Sequence, residues 1–242
     1  MAESESNPLV RQVEPGLCIF IHLFKTAGTS IHSQMRVHFG DDEVPRIIDG
    51  DSFFDEIEHA VTDGHAKAIA GHYSFMRMGD ALERIGLDKK GVTYFSFVRD
   101  PIERLVSAYN YFRSNDEEKW HLEALSLPAL EFFEFAVVND PQMVVNHQCL
   151  YLSEHSEPTF SAAKSNIETN FAFVGATERI ADIATISERK IGFSFDPSIK
   201  RNQADRSVGI EDLDKNTLDL LDSITAEDRK LHQYILDMGV QQ

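Results

Sequence analysis

The 242-residue sequence predicts an α/β fold with a mainly parallel central β-sheet. Three observations lead there. Four short apolar runs (17–23, 66–71, 92–98 and 171–175) are continuous rather than alternating, as strands covered on both faces are. Amphipathic stretches with helical spacing separate them. The first run ends in a tight small-residue turn that opens a helix, the local grammar of a strand, an anion-binding loop and a helix N-terminus.

The elements follow in order. Residues 17–23 form the first strand, and Ser30 to Phe39 carries Ile31, Met35 and His38 at helical spacing, ending at Gly40. Asp51 to Val61 is a second helix with Phe53, Phe54, Ile57 and Val61 on one side. A short strand over 66–71 precedes a helix from Met76 to Ile85, stopped by Gly86, and 92–98 is a strongly β-prone strand. Asp100 is a natural N-cap for the next helix, with Pro101 at its first position and Glu103 at its third. Ile102, Leu105, Val106, Tyr109 and Phe112 form its buried face. From about 117 to 150 the pattern is helical, punctuated at Pro128 and Pro141, and Phe132, Phe133 and Phe135 read as core or pocket wall. Residues 171–175 form the fourth strand. The last helix runs from about Thr225 to Met238, where Thr225 and Asp228 have capping-box spacing and Leu231, Tyr234, Ile235 and Met238 form an apolar stripe. Residues 1–13 read as a disordered tail and 14–242 as a single domain.

Chemistry concentrates in Ile19-Phe-Ile-His-Leu-Phe-Lys25-Thr-Ala-Gly-Thr-Ser30. Backbone amides, the positive end of a helix, two hydroxyls and one ammonium would converge on an anion. A Walker-A loop, G-x-x-x-x-G-K-[ST], has its lysine after the last glycine. Here the lysine comes first, and no Walker-A match occurs in the chain. The loop suits a phosphate-like anion, held otherwise than in nucleoside triphosphatases.

Net charge of −17 argues against non-specific nucleic-acid binding, and any polyanion site must concentrate the 23 basic residues locally. No run of ~18 apolar residues suggests a membrane span, and the acidic, polar first residues are unlike a signal peptide, so a cytoplasmic location is expected. Cys18 and Cys149 show no ligand pattern and read as buried free thiols, a single disulfide being the alternative. No metal site is expected.

A second block, Phe97-Val-Arg99-Asp-Pro-Ile-Glu-Arg104-Leu-Val-Ser107, puts Arg99 at the carboxyl end of a strand, where open α/β sheets place their ligands. Ser107 lies two helical turns further on. An arginine there either serves a ligand or pairs with a carboxylate.

Together the two blocks resemble the PAPS-dependent sulfotransferases, in the branch related to Golgi carbohydrate sulfotransferases acting on heparan- and dermatan-type glycans. PAPS is 3′-phosphoadenosine-5′-phosphosulfate. The family's first element, F-x-H-x-P-K-T-[AG]-G-[TS]-[ST], corresponds to Phe20 through Ser30, with Phe24 in place of the proline. Its second, [FV]-x-R-[DN]-P-x-x-R-x-x-S-x-[FY], corresponds to Phe97 through Tyr109. Gly71-His72-x-x-Phe75, Asn146-x-Gln148-x-x-Tyr151-Leu152 and Phe173-Val-Gly-x-Thr177-Glu178-Arg179 follow in order, then Asn202, Arg206 and the helix of Asp228 to Tyr234. The likeness covers about residues 17–238.

The resemblance implies a P-loop-like three-layer sandwich and in-line transfer of a sulfuryl group from PAPS to an acceptor, leaving 3′,5′-ADP without a metal. It implies that Lys25 stabilises the bridging oxygen as the S–O bond breaks, while Thr26, Ala27, Gly28, Thr29 and Ser30 hold the 5′-phosphate. Gly28 would serve close backbone approach or a positive φ. Arg99 and Ser107 would grip the 3′-phosphate, and Lys200 or Arg201 would close over the nucleotide. His72 is the candidate general base, the alternative being a loop-bonding histidine with Asp49 or Asp51 as the base. His22 reads as a core histidine that orients the loop, and Glu178 with Arg179 as a structural ion pair or cap. The acceptor, a small-molecule or glycan hydroxyl, would be lined by about 115–165. An ATP-dependent P-loop kinase and a non-catalytic nucleotide-binding relative are the competing readings.

Overall fold

The protein is described by a computed structural model over residues 16–63, 66–155, 157–198 and 208–238. The expected tail, and Lys200, Arg201, Asn202 and Arg206, lie outside the described residues.

Chain order runs β1 (Cys18–Ile21), α1 (Gly28–Phe39), β2 (Arg46–Ile48), α2 (Phe53–Glu58), β3 (Ala68–His72), α3 (Phe75–Arg84), β4 (Thr93–Val98) and α4 (Pro101–Ser114). A helical region follows: α5 (His121–Ser126), α6 (Ala129–Asn139), α7 (Pro141–Val144), α8 (His147–Leu152) and α9 (Phe160–Asn170). Then come β5 (Phe171–Ala176), α10 (Ile180–Ile191), α11 (Lys215–Ile224) and α12 (Ala226–Met238). The described strands form one parallel sheet in the order β2-β3-β1-β4-β5. β2 is absent from the sequence reading because three residues with exposed Arg46 and Ile48 carry no recognisable run.

The continuous apolar strands are explained by cover on both faces. Ile19 and Ile21 of β1 pack with Ile69, Tyr94 and residues of α2, α3, α8, α9 and α12. Cys18 and Phe20 face the other way, into Phe95, Phe97, Phe173 and the inner sides of α1 and α10. A third cluster under α4 to α7 and α11 joins Tyr109, Phe112, Trp120, Phe132, Phe133 and Leu221, so Phe132 and Phe133 are core. Cys18 and Cys149 are buried free thiols.

The predicted capping box of the last helix is corrected. Thr225 Oγ1 donates to Leu221 O (2.7 Å), back into α11. The fully buried Asp228 carboxylate accepts the amides of Gln148 (3.1 Å) and Cys149 (2.8 Å) and so caps α8 instead. Asn146 returns the favour, its Oδ1 accepting the Glu227 and Asp228 amides at the start of α12 (3.0 and 3.4 Å). Two helix N-termini thus satisfy one another's orphan amides across the fold.

Candidate active site

The strand order reverses at β1, whose neighbours are β3 and β4, and an open parallel sheet has its ligand crevice beside the carboxyl ends at such a switch point. Three segments meet there: the loop after β1, the end of β3 with His72, and the turn after β4 with Arg99.

The first loop is held by its own backbone. Lys25 (φ 70°) and Ala27 (φ 65°) are left-handed, a conformation that costs a non-glycine residue about 1–2 kcal/mol. The buried Thr26 braces the turn: its hydroxyl donates to Leu23 O (2.9 Å) and its amide to the same oxygen (3.3 Å). Its hydroxyl proton is therefore committed inside the loop, an obstacle to the expectation that Thr26 grips a cofactor. The Ser30 and Ile31 amides turn back to Ala27 O (3.1 and 3.4 Å). Those of Ala27, Gly28 and Thr29 have no acceptor among the described residues, and they open at the positive end of α1. Ser30 is buried in the first turn and Thr29 is half-buried. Gly28 is required for close approach, not for positive φ: a Cβ there would lie 1.8 Å from His22 Nε2.

Lys25 is half-buried, its ammonium 4.3 Å from the centre of the Tyr111 ring. Burial, then repulsion from Arg99, lowers its pKa to about 8, with Glu118 acting in the opposite sense. Phe24 replaces the pyrrolidine constraint with packing, wedged against His72, Tyr111 and Phe112 at ring separations of 6.0, 5.4 and 5.8 Å.

The His72 and His22 rings lie with centroids 4.1 Å apart at a tilt of 33°, and His22 stacks on Phe20. His72 Nδ1 lies 3.0 Å from His22 O, which can only accept. The ring proton is therefore on Nδ1 and the lone pair on Nε2. Arg46 Nη2 donates to that lone pair at 3.4 Å. Burial chiefly, then Arg46, moves the His72 pKa down to about 4, despite the bond to His22 O. His22, more deeply buried, is held well below the ordinary histidine range by desolvation and then by His72. Asp49, the alternative base, accepts from Arg77 Nε (3.0 Å). Arg46 escaped the sequence reading because its contact is made across two strands.

Arg99 donates through Nη2 and Nε to Glu103 Oε2 (3.0 and 3.4 Å), an ion pair one turn apart. Its backbone is clamped by Gln148, which accepts the Arg99 amide (2.9 Å) and donates to the Arg99 carbonyl (3.0 Å). Asp100 caps α4 as expected, accepting the Glu103 amide (2.9 Å). Glu178 Oε1 accepts the Asp100 amide (3.0 Å) and lies 3.3 Å from His232 Nε2, so its cap role stands, with His232 rather than Arg179 beside it. Burial raises the Glu178 pKa, but His232 and the Asp100 amide outweigh it and hold it at about 2. Ser107 is half-buried two turns along α4. Arg104, quoted in the motif without a role, is fully buried: its Nη2 donates to Met143 O (3.1 Å), with Asp228 as the opposing charge.

Among the described residues no group of three or more His, Cys, Asp or Glu could hold a metal ion, and no helix is long and apolar enough to cross a membrane. The site is therefore a cradle of open amides with two cations at adjacent strand ends. The sequence matches the model of the sulfotransferase family over residues 17–235. The chain belongs to that family. No curated protein matches this sulfotransferase-family chain. Among solved structures it is similar to mouse sulfotransferase SULT7A1 complexed with PAP, at 14% identity and a TM-score of 0.46. The alignment covers 76% of this chain and 61% of that one.

Proposed function

We propose that this sulfotransferase-family chain moves a sulfuryl group from PAPS to the hydroxyl of a sugar, glycolipid precursor or other small metabolite. The observation that carries the reading is the pairing of Lys25, which has no carboxylate partner among the described residues, with open amides at Ala27, Gly28 and Thr29. Arg99 adds a second cation on the neighbouring strand end. PAPS supplies the activated S–O bond; the protein supplies position and charge. Lys25 stabilises the oxygen that becomes negative when that bond breaks, and the three amides hold the 5′-phosphate with the Thr29 and Ser30 hydroxyls. Arg99 and Ser107 take the 3′-phosphate, Arg99 by exchanging Glu103 for it, and Lys200 or Arg201 completes the nucleotide site. His72 Nε2 takes the proton lost by the acceptor oxygen as the new S–O bond forms. The helical region of about 115–165 lines the acceptor. The two free thiols support a reducing, cytoplasmic setting.

Ligand-induced stabilisation tests this. At ~100 times its Kd a ligand adds about 2.7 kcal/mol, a Tm rise of roughly 5–10 °C for a chain of this size. 3′,5′-ADP is expected to give such a rise and ATP with Mg²⁺ little. The opposite ranking sinks the proposal in favour of a kinase.

A further inference from the structure

Two cations act on the candidate base: Arg46 from β2 and Lys25 from the loop after β1. His22 and His147 also lie near it, both held well below the ordinary histidine range by burial, and Asp49, whose amide donates to His72 O (3.0 Å), has its carboxylate engaged by Arg77. Arg46 itself has no carboxylate within ion-pair distance among the described residues, although the chain carries 40 Asp and Glu. Arg77, Arg99 and Lys89, by contrast, are all ion-paired. The exposed Arg46 guanidinium instead caps the one lone pair that a general base must use. Its charge also reaches His32 and Tyr111, the ring over which the Lys25 ammonium sits.

A neutral acceptor would leave this arrangement intact, with the base both covered and disfavoured as a proton acceptor. An oxyanion changes it: a guanidinium prefers a bidentate carboxylate or phosphate to a single imidazole nitrogen. On the sulfotransferase reading, we infer that Arg46 recognises an oxyanion carried by the acceptor, and that this pairing uncovers His72 Nε2. The negative charge brought in also favours proton uptake by the imidazole. Arg46 is thus a specificity and positioning residue, distinct from the groups that hold the donor nucleotide.

The test uses the full chain saturated with 3′,5′-ADP and follows the His72 ring by NMR, its signal identified by its loss in His72→Gln. Glucose, glucuronate and glucose 6-phosphate serve as matched neutral, carboxylate and phosphate-ester probes. At least one anionic probe is expected to perturb His72 saturably and to move its titration to higher pH, while glucose at equal concentration does not. Which anion acts identifies the oxyanion class. Arg46→Gln should weaken that response roughly tenfold or more, with partial recovery in Arg46→Lys and unchanged 3′,5′-ADP affinity. The inference is overturned if glucose acts as the anions do, if neither anion moves His72, or if Arg46→Gln responds like the parent. Failure of the parent chain to bind 3′,5′-ADP would instead overturn the sulfotransferase reading itself.

Discussion

Lys25 is a desolvated ammonium with no carboxylate within ion-pair distance among the described residues, Glu118 only partly offsetting burial, and that makes its proton a reporter of ligand binding. With a pKa of about 8 in the free protein, it is charged below that pH, and a bound phosphate raises the value further. Affinity for 3′,5′-ADP is therefore expected to be level just below pH 8 and to fall above it, by up to about tenfold per pH unit, until the bound-state pKa is passed. Lys25→Ala should bind more weakly and lose this slope, as calorimetry across the range would register. Gly28 gives a second residue-scale prediction. A Cβ there would strike the His22 ring, which is hemmed in by Phe20 on one side and the tilted His72 ring on the other. Gly28→Ala is expected to cost about 1–3 kcal/mol and to displace His72 as well, so its ring resonance should shift even without ligand.

Helices α8 and α12 show why local spacing misled. Thr225 and Asp228 have the separation of a capping box, yet burial aims Asp228 at α8, where it accepts two amides and opposes the buried charge of Arg104. Thr225→Ala is therefore expected to be mild, whereas Asp228→Ala, which leaves the buried Gln148 and Cys149 amides without their acceptor, should cost about 2–5 kcal/mol in chemical denaturation. A larger effect at Thr225 would restore the capping-box assignment. The same network continues to the site, since Asp228 holds the backbone of Gln148 and the Gln148 side chain holds the backbone of Arg99. Segments built by local rules were legible in the sequence: β1 and β4 as unbroken apolar runs, and α4 by its Asp100 cap and Pro101. Arg46, the clamp of Gln148 and the rim strand β2 were not. Each depends on contacts between residues distant in sequence, 26 positions apart for Arg46 and His72 and 49 for Arg99 and Gln148.

At the scale of the molecule, a net charge of −17 surrounds a basic mouth at the ends of β1 and β4 that carries Lys25 and Arg99. At ~0.01 M ionic strength the Debye length, about 30 Å, spans the protein, so an approaching nucleotide experiences the total charge; near 0.15 M it is about 8 Å and the local cations dominate. Association of 3′,5′-ADP is therefore expected to quicken as salt rises between these limits, measurable by stopped flow. A rate that falls instead would mean that the basic mouth steers ligands from afar. The parallel sheet and its switch point were legible because the topology follows from continuous strands alternating with helices. The sheet also separates what is anchored from what is free to vary. The Lys25 loop and the Arg99 turn hang from two adjacent interior strands and are braced by buried atoms. Arg46 stands on three residues at the rim, with its side chain exposed, where replacement typically costs within about 0.5 kcal/mol. With Arg46 as the proposed reader of the acceptor, descendants of this chain would trade one acceptor for another by changing a single rim residue, while the proposed donor half passed on unaltered.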